Sequence, residues 1–176
     1  IMQMDAGLDT GPVLLTHEQR VAAAMTGGEL HDALAVLGAQ ALMDALPAIE
    51  SGRAVAQPQP AAGVTYAAKL SKSEAVIDWT RPAQEISRLV RAFNPWPVAE
   101  TRFAGEQLRL HRALAEAGTG AAATPGKVLG LGADDALRVA CGSGVLAISS
   151  LQRQGRRVVS AREFANGSDV IGAQFG

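Results

Sequence analysis

Apolar side chains recur at helical spacing over the first half of the chain. Between residues 26 and 51 they fall on one face, which predicts a long amphipathic helix that ends at Ser51-Gly52. Thr26-Gly-Gly-Glu29 has the form of a capping box at the start of this helix. A second helix is predicted over residues 80–93, with Thr80 as its N-cap.

The period changes to two after Asn94-Pro-Trp-Pro97, whose prolines end the second helix. Ala104-Gly105 marks a hairpin, and a capping box at Ser160-Ala-Arg-Glu163 predicts a short last helix that Gly167 closes. The Ala- and Gly-rich stretch from Ala115 to Gly126 is predicted to be a loop. Such a pattern indicates a small antiparallel barrel or sandwich with a helix on either side. Its short strands are predicted at residues 100–103, 107–113, 127–131, 136–140 and 145–151.

The charge of the chain changes sign along its length, although the formal net charge is only -1. Residues 1–60 carry two basic and seven acidic side chains, whereas residues 61–176 carry 14 basic and 10 acidic ones. A stretch of prolines and small residues lies near this change, so we expect one domain at 1–52, a linker at 53–71 and a second domain at 72–176. The basic surplus fits a polyanionic partner and a merely solvated surface about equally.

The composition excludes several classes of protein. With 48% hydrophobic and 19% charged residues, the chain is typical of a globular protein and not of a disordered one. Its apolar runs are interrupted before the ~20 residues that a bilayer span needs, and no signal peptide is recognisable. A single cysteine, Cys141, leaves no internal disulfide, and no metal-ligand or phosphate-loop spacing occurs. We therefore expect a cytoplasmic protein without a metal and without a membrane partner.

The first twelve residues, Ile1-Met-Gln-Met-Asp-Ala-Gly-Leu-Asp-Thr-Gly-Pro12, indicate a short strand that leads into a glycine-rich loop. Asp9 has two interpretations: a general base or orienter of an imidazole, or an Asx-turn residue that satisfies backbone N–H groups. Further short strands are predicted at 13–15 and 19–23. The chain offers no earlier element to pair with the first strand, so we expect Asp9 to belong to an active site whose other half lies outside this chain.

Basic residues of the second half are candidates for phosphate contacts, with scattered solubilising charge as the alternative for each of them. The densest group lies at 152–157, in a predicted hairpin turn. We expect His17 in a predicted strand, His31 and His111 to be structural or surface residues, and Cys141 to be inert. The candidates for phosphate contacts are Lys69, Lys72, Arg88, Arg91, Arg109, Arg112, Arg153, Arg156 and Arg157.

Several segments carry a family resemblance: Asp5-Ala-Gly-Leu-Asp-Thr-Gly-Pro12, Tyr66-Ala-Ala-Lys-Leu-Ser-Lys-Ser-Glu74 with Ile77-Asp-Trp79, Arg91-Ala-Phe-Asn-Pro-Trp-Pro97, and the tail from Gly155 to Phe164. Together they resemble the 10-formyltetrahydrofolate-dependent formyltransferases, in particular those that formylate methionyl-tRNA. The resemblance covers essentially the whole chain. Formyltransferases that act on UDP-amino sugars share the same two-domain plan and are one alternative. A tRNA-binding module without catalysis is the other.

The resemblance implies an α/β remnant of a Rossmann-like formyltransferase domain, followed by an OB-like antiparallel β-barrel domain with flanking helices. It implies that Asp9 is the catalytic Asp of an Asn–His–Asp triad, and that the backbone of Asp5, Ala6 and Gly7 lines the pterin pocket. The implied formyl donor is 10-formyltetrahydrofolate, and the implied acceptor is initiator methionyl-tRNA, held by the basic candidates above, Arg109 and Arg112 excepted.

The sequence departs from the family pattern in two places. The family's Asn-x-His motif does not occur in this chain, and Pro12 stands where the family's loop often has Asp. The resemblance implies a monomeric enzyme of translation initiation. Because the Asn-x-His motif is absent, we expect this part of the enzyme to be inactive by itself.

Overall fold

The computed structural model describes residues 1–116 and 123–176. The chain folds as two compact units, the first comprising 1–23 and 28–69 and the second comprising 24–27 and 70–176. The domain division expected from the sequence stays a prediction. Of the predicted loop from Ala115 to Gly126, residues 117–122 lie outside the described residues, and Ala115 and Glu116 belong to a strand.

The long predicted helix is confirmed as α1, Gly27–Glu50. The strands predicted at 13–15 and 19–23 are wrong, and so is the expectation that His17 lies in a strand. Val13 forms only isolated bridges, to Met2 and to Gln57. A ladder needs consecutive pairs, but Pro12 has no N–H to donate and most of the segment that follows is exposed. The described part of the first unit is therefore one helix with bridged extended segments, and a Rossmann-like α/β remnant is not confirmed.

By length and composition alone, α1 could cross a bilayer, which corrects the expectation that no apolar run is long enough. Only 11% of its most apolar stretch is buried. Leu34, Val36, Met43 and Leu46 are each more than two-fifths exposed. The same criterion is met by core helices of globular proteins, so it is weak support for a membrane span.

The second unit contains two further helices and all the strands of the described residues. A 3-10 helix at Lys72–Ala75 precedes α2, which spans Ala83–Ala92, and α3 spans Ala161–Asn166. Ser160 caps α3 as predicted, because its Oγ accepts the Glu163 N–H at 3.1 Å. The strands are β1 (Ala99–Phe103), β2 (Glu106–Glu116), β3 (Val128–Leu131), β4 (Leu137–Ala140), β5 (Val145–Arg153) and β6 (Val159–Ser160).

The predicted cap of the second helix is wrong. The backbone N–H and the hydroxyl of Thr80 both donate to Asp78 Oδ1, at 3.0 and 2.6 Å, so this hydroxyl is engaged in a local turn. The helix begins three residues later, after Pro82, and the Ala83 N–H donates to the Ser143 carbonyl at 2.8 Å. The stripe that it buries includes Ile86 and Val90.

The strands form one antiparallel sheet in the order β1-β2-β5-β4-β3, with β6 paired to β5. Ala104 and Gly105 both have positive φ angles, 50° and 81°, and make the tight hairpin that the sequence predicts between β1 and β2. Within the described residues no ladder joins β1 to β3, so the sheet is open. The antiparallel sheet with flanking helices is confirmed, whereas closure into an OB-like barrel is not.

A cluster of aromatic side chains attaches the C-terminus to this sheet. Trp79 and Phe175 have ring centroids 5.9 Å apart, and Phe103 lies 5.8 Å from Phe175 and 5.7 Å from Phe164. Trp79 Nε1 donates to Thr101 Oγ1 at 2.9 Å, where both groups are buried. The cluster therefore joins the chain before α2, the strand β1, the helix α3 and the last residues.

The Trp79–Thr101 hydrogen bond gives a prediction about stability. Replacing Thr101 by valine keeps the shape of the side chain but leaves the buried indole N–H without an acceptor. Since such a group costs about 1–3 kcal/mol, we expect the free energy of unfolding to fall by that amount in urea denaturation followed by fluorescence. Thr101→Ser, which keeps the oxygen, is the control. A loss in T101V no larger than in T101S contradicts this account.

Candidate functional site

Side chains and backbone of the first unit hold the loop that carries Asp9. The Gln3 N–H donates to the Pro12 carbonyl at 2.9 Å, which joins the two ends of the loop. Gln59 Nε2 donates to the carbonyls of Asp9 and Gly11, at 2.9 and 2.7 Å. At Gly11 an added Cβ would lie 1.8 Å from the Gln3 carbonyl oxygen, so only glycine fits there. The loop is therefore closed at its base and held from the side by one amide group.

The two carboxylates of the loop have different environments. Asp5 Oδ1 accepts the Gly7 N–H at 3.0 Å and the Thr10 hydroxyl at 2.6 Å, so Asp5 is the Asx-turn residue of this loop. Asp9 is exposed and has a φ of 56°, and its carboxylate has no hydrogen-bond partner among the described residues. Aspartate adopts this left-handed conformation more readily than most residues. Of the two interpretations of Asp9, the structure therefore leaves a carboxylate that is free to bind another group.

The histidines of the first unit have neighbours other than Asp9, and the cysteine is buried in the second unit. His17 Nε2 is 3.6 Å from Asp44 Oδ2, and His31 Nδ1 is 3.4 Å from the carboxylate of the next residue. His111 belongs to the second unit. Burial raises the pKa of the Cys141 thiol to about 11, so the thiol is unsuited to nucleophilic chemistry. Within the described residues no group of three or more His, Cys, Asp or Glu could hold a metal ion.

Arg153, one of the candidates for phosphate contacts, is half-buried among aromatic and polar side chains. Its guanidinium lies 5.6 Å from the ring centroid of Phe103 and 5.0 Å from that of Phe164. It donates to Glu106 Oε2 at 3.2 Å and to Ser168 Oγ at 2.7 Å. These contacts join β1, β5 and the end of α3, so the geometry favours a structural role for this side chain.

Arg91 is similarly engaged. It is half-buried, and its Nη1 donates to the Met25 carbonyl at 3.3 Å. Thr26 is buried, and at Gly27 an added Cβ would lie 2.6 Å from the Ala92 carbonyl oxygen. Arg91 therefore anchors residues 24–27 to the end of α2.

Other candidates point to solvent. Arg156 and Arg157 are exposed on the turn between β5 and β6, where Arg157 pairs with Glu163. With Arg153, Phe164 and Ser168 they line a concave site of about 550 Å³. Lys72 and Arg88 are exposed but do not line this site, and Lys69 belongs to the first unit. Whether any candidate contacts RNA stays a prediction.

Elsewhere in the second unit two arginines, Arg138 and Arg162, are paired with acidic side chains. Arg138 binds Glu116 Oε1 at 2.5 Å and also pairs with Asp134, whose carboxyl pKa this hydrogen bond lowers. Arg162 lowers the pKa of the Asp135 carboxyl in the same way. The basic surplus seen in the sequence therefore includes arginines that are already paired.

Sequence reasoning missed three features of these surfaces. Trp96 is 53% exposed, although the sequence marks its motif only as the end of a helix. Gln59 holds the Asp9 loop across 50 residues, and no local pattern predicts so distant a contact. His111 Nε2 and Gln152 Oε1 lie 3.1 Å apart on neighbouring strands. The alternation of β2 and β5 places both on the outer face, but only the strand register brings them together.

Comparison with known proteins identifies relatives of the chain. Residues 69–169 match the family described as "Formyl transferase, C-terminal domain". The chain is 52% identical over 168 residues to a protein of Stenotrophomonas maltophilia and 54% identical over 172 residues to one of Chromohalobacter salexigens, both named methionyl-tRNA formyltransferase. Each match covers 94% of this chain but 54% and 52% of the relative, so the chain spans about half the length of the curated relatives it matches.

Solved structures share the fold. HypX from Aquifex aeolicus in one variant form has a TM-score of 0.67 at 18% identity, covering 93% of this chain and 30% of that one. HypX in complex with tetrahydrofolic acid has a TM-score of 0.64 at 18% identity, covering 93% and 28%.

The role of Gln59 gives a prediction about the Asp9 loop. Gln59→Leu removes both side-chain hydrogen bonds to the loop, so we expect the Gln3 amide to exchange about tenfold faster in hydrogen–deuterium exchange. Gln40→Leu, on the exposed side of α1, is the control because its amide bonds only Asp44. Unchanged exchange at Gln3 in Q59L shows that the loop does not depend on this contact.

Proposed function

The chain belongs to the formyltransferase family, since residues 69–169 match the C-terminal domain of that family, and we propose that it forms part of a methionyl-tRNA formyltransferase. The proposed reaction moves a formyl group from 10-formyltetrahydrofolate to the amino group of methionyl initiator tRNA. The observation that carries the proposal in the structure is Asp9, a free and exposed carboxylate on a loop that its own chain holds in place.

Asp9 is suited to the proton transfer that this reaction requires. The methionyl nitrogen forms a bond to the formyl carbon and the bond from that carbon to the folate nitrogen breaks. The attacking nitrogen loses a proton, and the departing folate nitrogen gains one. A carboxylate can support an imidazole that accepts the proton, and this kind of acid–base help contributes about 10²–10⁴ in rate. His17, His31 and His111 have other neighbours, so none of them is assigned this role.

The exposed backbone of the same loop is the proposed binding site for the folate donor. Asp5, Ala6 and Gly7 are exposed, and neither Ala6 nor Gly7 has a side chain that would hinder a flat pterin ring. Support comes from HypX, which shares the fold and whose structure has been solved in complex with tetrahydrofolic acid. We propose the folate as a co-substrate and assign no metal.

The second unit is the proposed tRNA-binding part. Its open antiparallel sheet is the basis for the finer proposal of an OB-like domain, a class that binds oligonucleotides. The exposed candidates of this unit, Lys72, Arg88, Arg156 and Arg157, are each proposed to hold a phosphate, and so is Lys69 of the first unit. Arg91 and Arg153 are proposed to position these groups. A monomeric, cytoplasmic protein fits this function.

The alternative enzyme, a formyltransferase that acts on UDP-amino sugars, is not favoured. The chain is 51–54% identical to proteins named methionyl-tRNA formyltransferase. A formyltransferase for UDP-amino sugars would not account for this level of identity. Formylation assays of the complete gene product on methionyl-tRNA and on a UDP-amino sugar separate the two reactions directly.

Asp9 gives the first functional prediction. In the complete gene product, Asp9→Asn keeps the size of the side chain but removes its charge, so we expect kcat to fall about 10²–10⁴-fold. The KM for methionyl-tRNA is expected to stay the same in formyl-transfer assays. Asp32→Asn, at an exposed position on α1, is the control. Full activity of D9N rejects the catalytic assignment.

The basic turn between β5 and β6 gives the second functional prediction. We expect the double variant R156A/R157A to bind initiator tRNA more weakly and with a salt slope shallower by about 1–2, because each phosphate contact releases counterions. The control R81A/R162A removes the same charge from two arginines outside the turn, which pair with Glu85 and Asp135 much as Arg157 pairs with Glu163. Equal slopes for the two double variants exclude a specific role for the turn.

A further inference from the structure

Trp96 is a large aromatic side chain that the fold leaves open to solvent. Of the two tryptophans of the chain, Trp79 is 5% exposed in the aromatic cluster, whereas Trp96 is 53% exposed between α2 and β1. The prolines on either side restrict the backbone of this turn. Asn94 Nδ2 donates to the His111 carbonyl of β2 at 2.7 Å. The turn is therefore attached to the sheet, which holds the backbone that carries Trp96 in place.

A line of hydrogen bonds leads from this turn to the basic turn after β5. His111 Nε2 lies 3.1 Å from Gln152 Oε1 on the neighbouring strand, and Gln152 Nε2 donates to the Arg156 carbonyl at 2.6 Å. Asn94, Trp96, His111, Gln152 and Arg156 are here called the Trp96–Arg156 surface. All five are exposed or half-buried.

Cationic groups lie at one end and in the middle of the surface. Arg156 is exposed, and within residues 1–116 and 123–176 its guanidinium makes no hydrogen bond or ion pair. Arg109 is paired with Gln152 in the sheet, and its buried Nε has no partner in the same residues. Glu100 faces Arg109 across the β1–β2 ladder, but its carboxylate accepts from Gln107. A polyanion is therefore favoured over a neutral ligand.

We propose that the Trp96–Arg156 surface binds an unpaired segment of RNA, with one base stacked on Trp96 and backbone phosphates at Arg156 and Arg109. This inference rests on the proposed tRNA-binding function and specifies which structural feature of the RNA the second unit contacts. Exposed aromatic side chains stack on unpaired bases whatever the sequence, while arginines hold the backbone. A base in a duplex is already stacked, so paired RNA cannot make the same contact.

Fluorine NMR of the 176-residue chain labelled with 5-fluorotryptophan tests this proposal. Two resonances are expected, and Trp96→Phe assigns them by removing one. A ten-nucleotide oligouridylate should shift the Trp96 resonance and leave that of Trp79 unchanged. A ten-base-pair RNA duplex at the same phosphate concentration should leave both unchanged. If oligouridylate leaves the Trp96 resonance unchanged, or if the duplex shifts it as much as oligouridylate does, the proposal is overturned.

Binding measurements with three variants complete the test. Trp96→Leu should weaken oligouridylate binding about tenfold, whereas Trp96→Phe should keep most of the affinity because phenylalanine also stacks. Tyr66→Leu, at an aromatic residue of the first unit that is 81% exposed, is the control and should have no effect. Equal affinities of W96L and the parent chain contradict the stacking contact. If the complete gene product still formylates methionyl-tRNA in that case, the proposed function stands and only this inference fails.

Discussion

The arrangement of the second unit around the basic turn depends on the contacts of one half-buried guanidinium, that of Arg153. It lies over the rings of both Phe103 and Phe164, and it binds Glu106 and Ser168. One cation thus joins the hairpin of β1 and β2, the last residue of β5, the helix α3 and the residue Ser168 that follows it. The loss of water around the charge is offset by two hydrogen bonds and two aromatic faces.

The basic turn follows Arg153 directly, so the direction in which Arg156 and Arg157 project depends on this contact. An arginine that is needed to position a surface does not have to touch the ligand. The same distinction applies to Arg91, whose bond to Met25 anchors residues 24–27. In the first unit Gln59 has the comparable task, since it holds the loop from which Asp9 projects. In both units the groups proposed to act are exposed, while hydrogen-bonded polar side chains hold the segments that carry them.

Local patterns in the sequence predicted local structure well. The helix α1, the Ala104-Gly105 hairpin and the Ser160 cap depend on residues close in sequence, and all three are confirmed. The Thr80 cap failed because Asp78, two residues away, binds the same hydroxyl. The strands before α1 failed because a strand needs a partner that no local period specifies. The roles of the basic residues were the hardest to predict, since the rings around Arg153 are brought there only by the fold.

Hydrogen–deuterium exchange of the chain with and without initiator methionyl-tRNA tests the central claim most directly. The account predicts slower exchange in the bound state at residues 154–158 and at the amides of Asn94 and Trp96. It predicts no change in exchange at residues 132–138, because Arg138 is already paired with Glu116 and Asp134. Protection confined to 132–138, or no protection anywhere in the second unit, would contradict it.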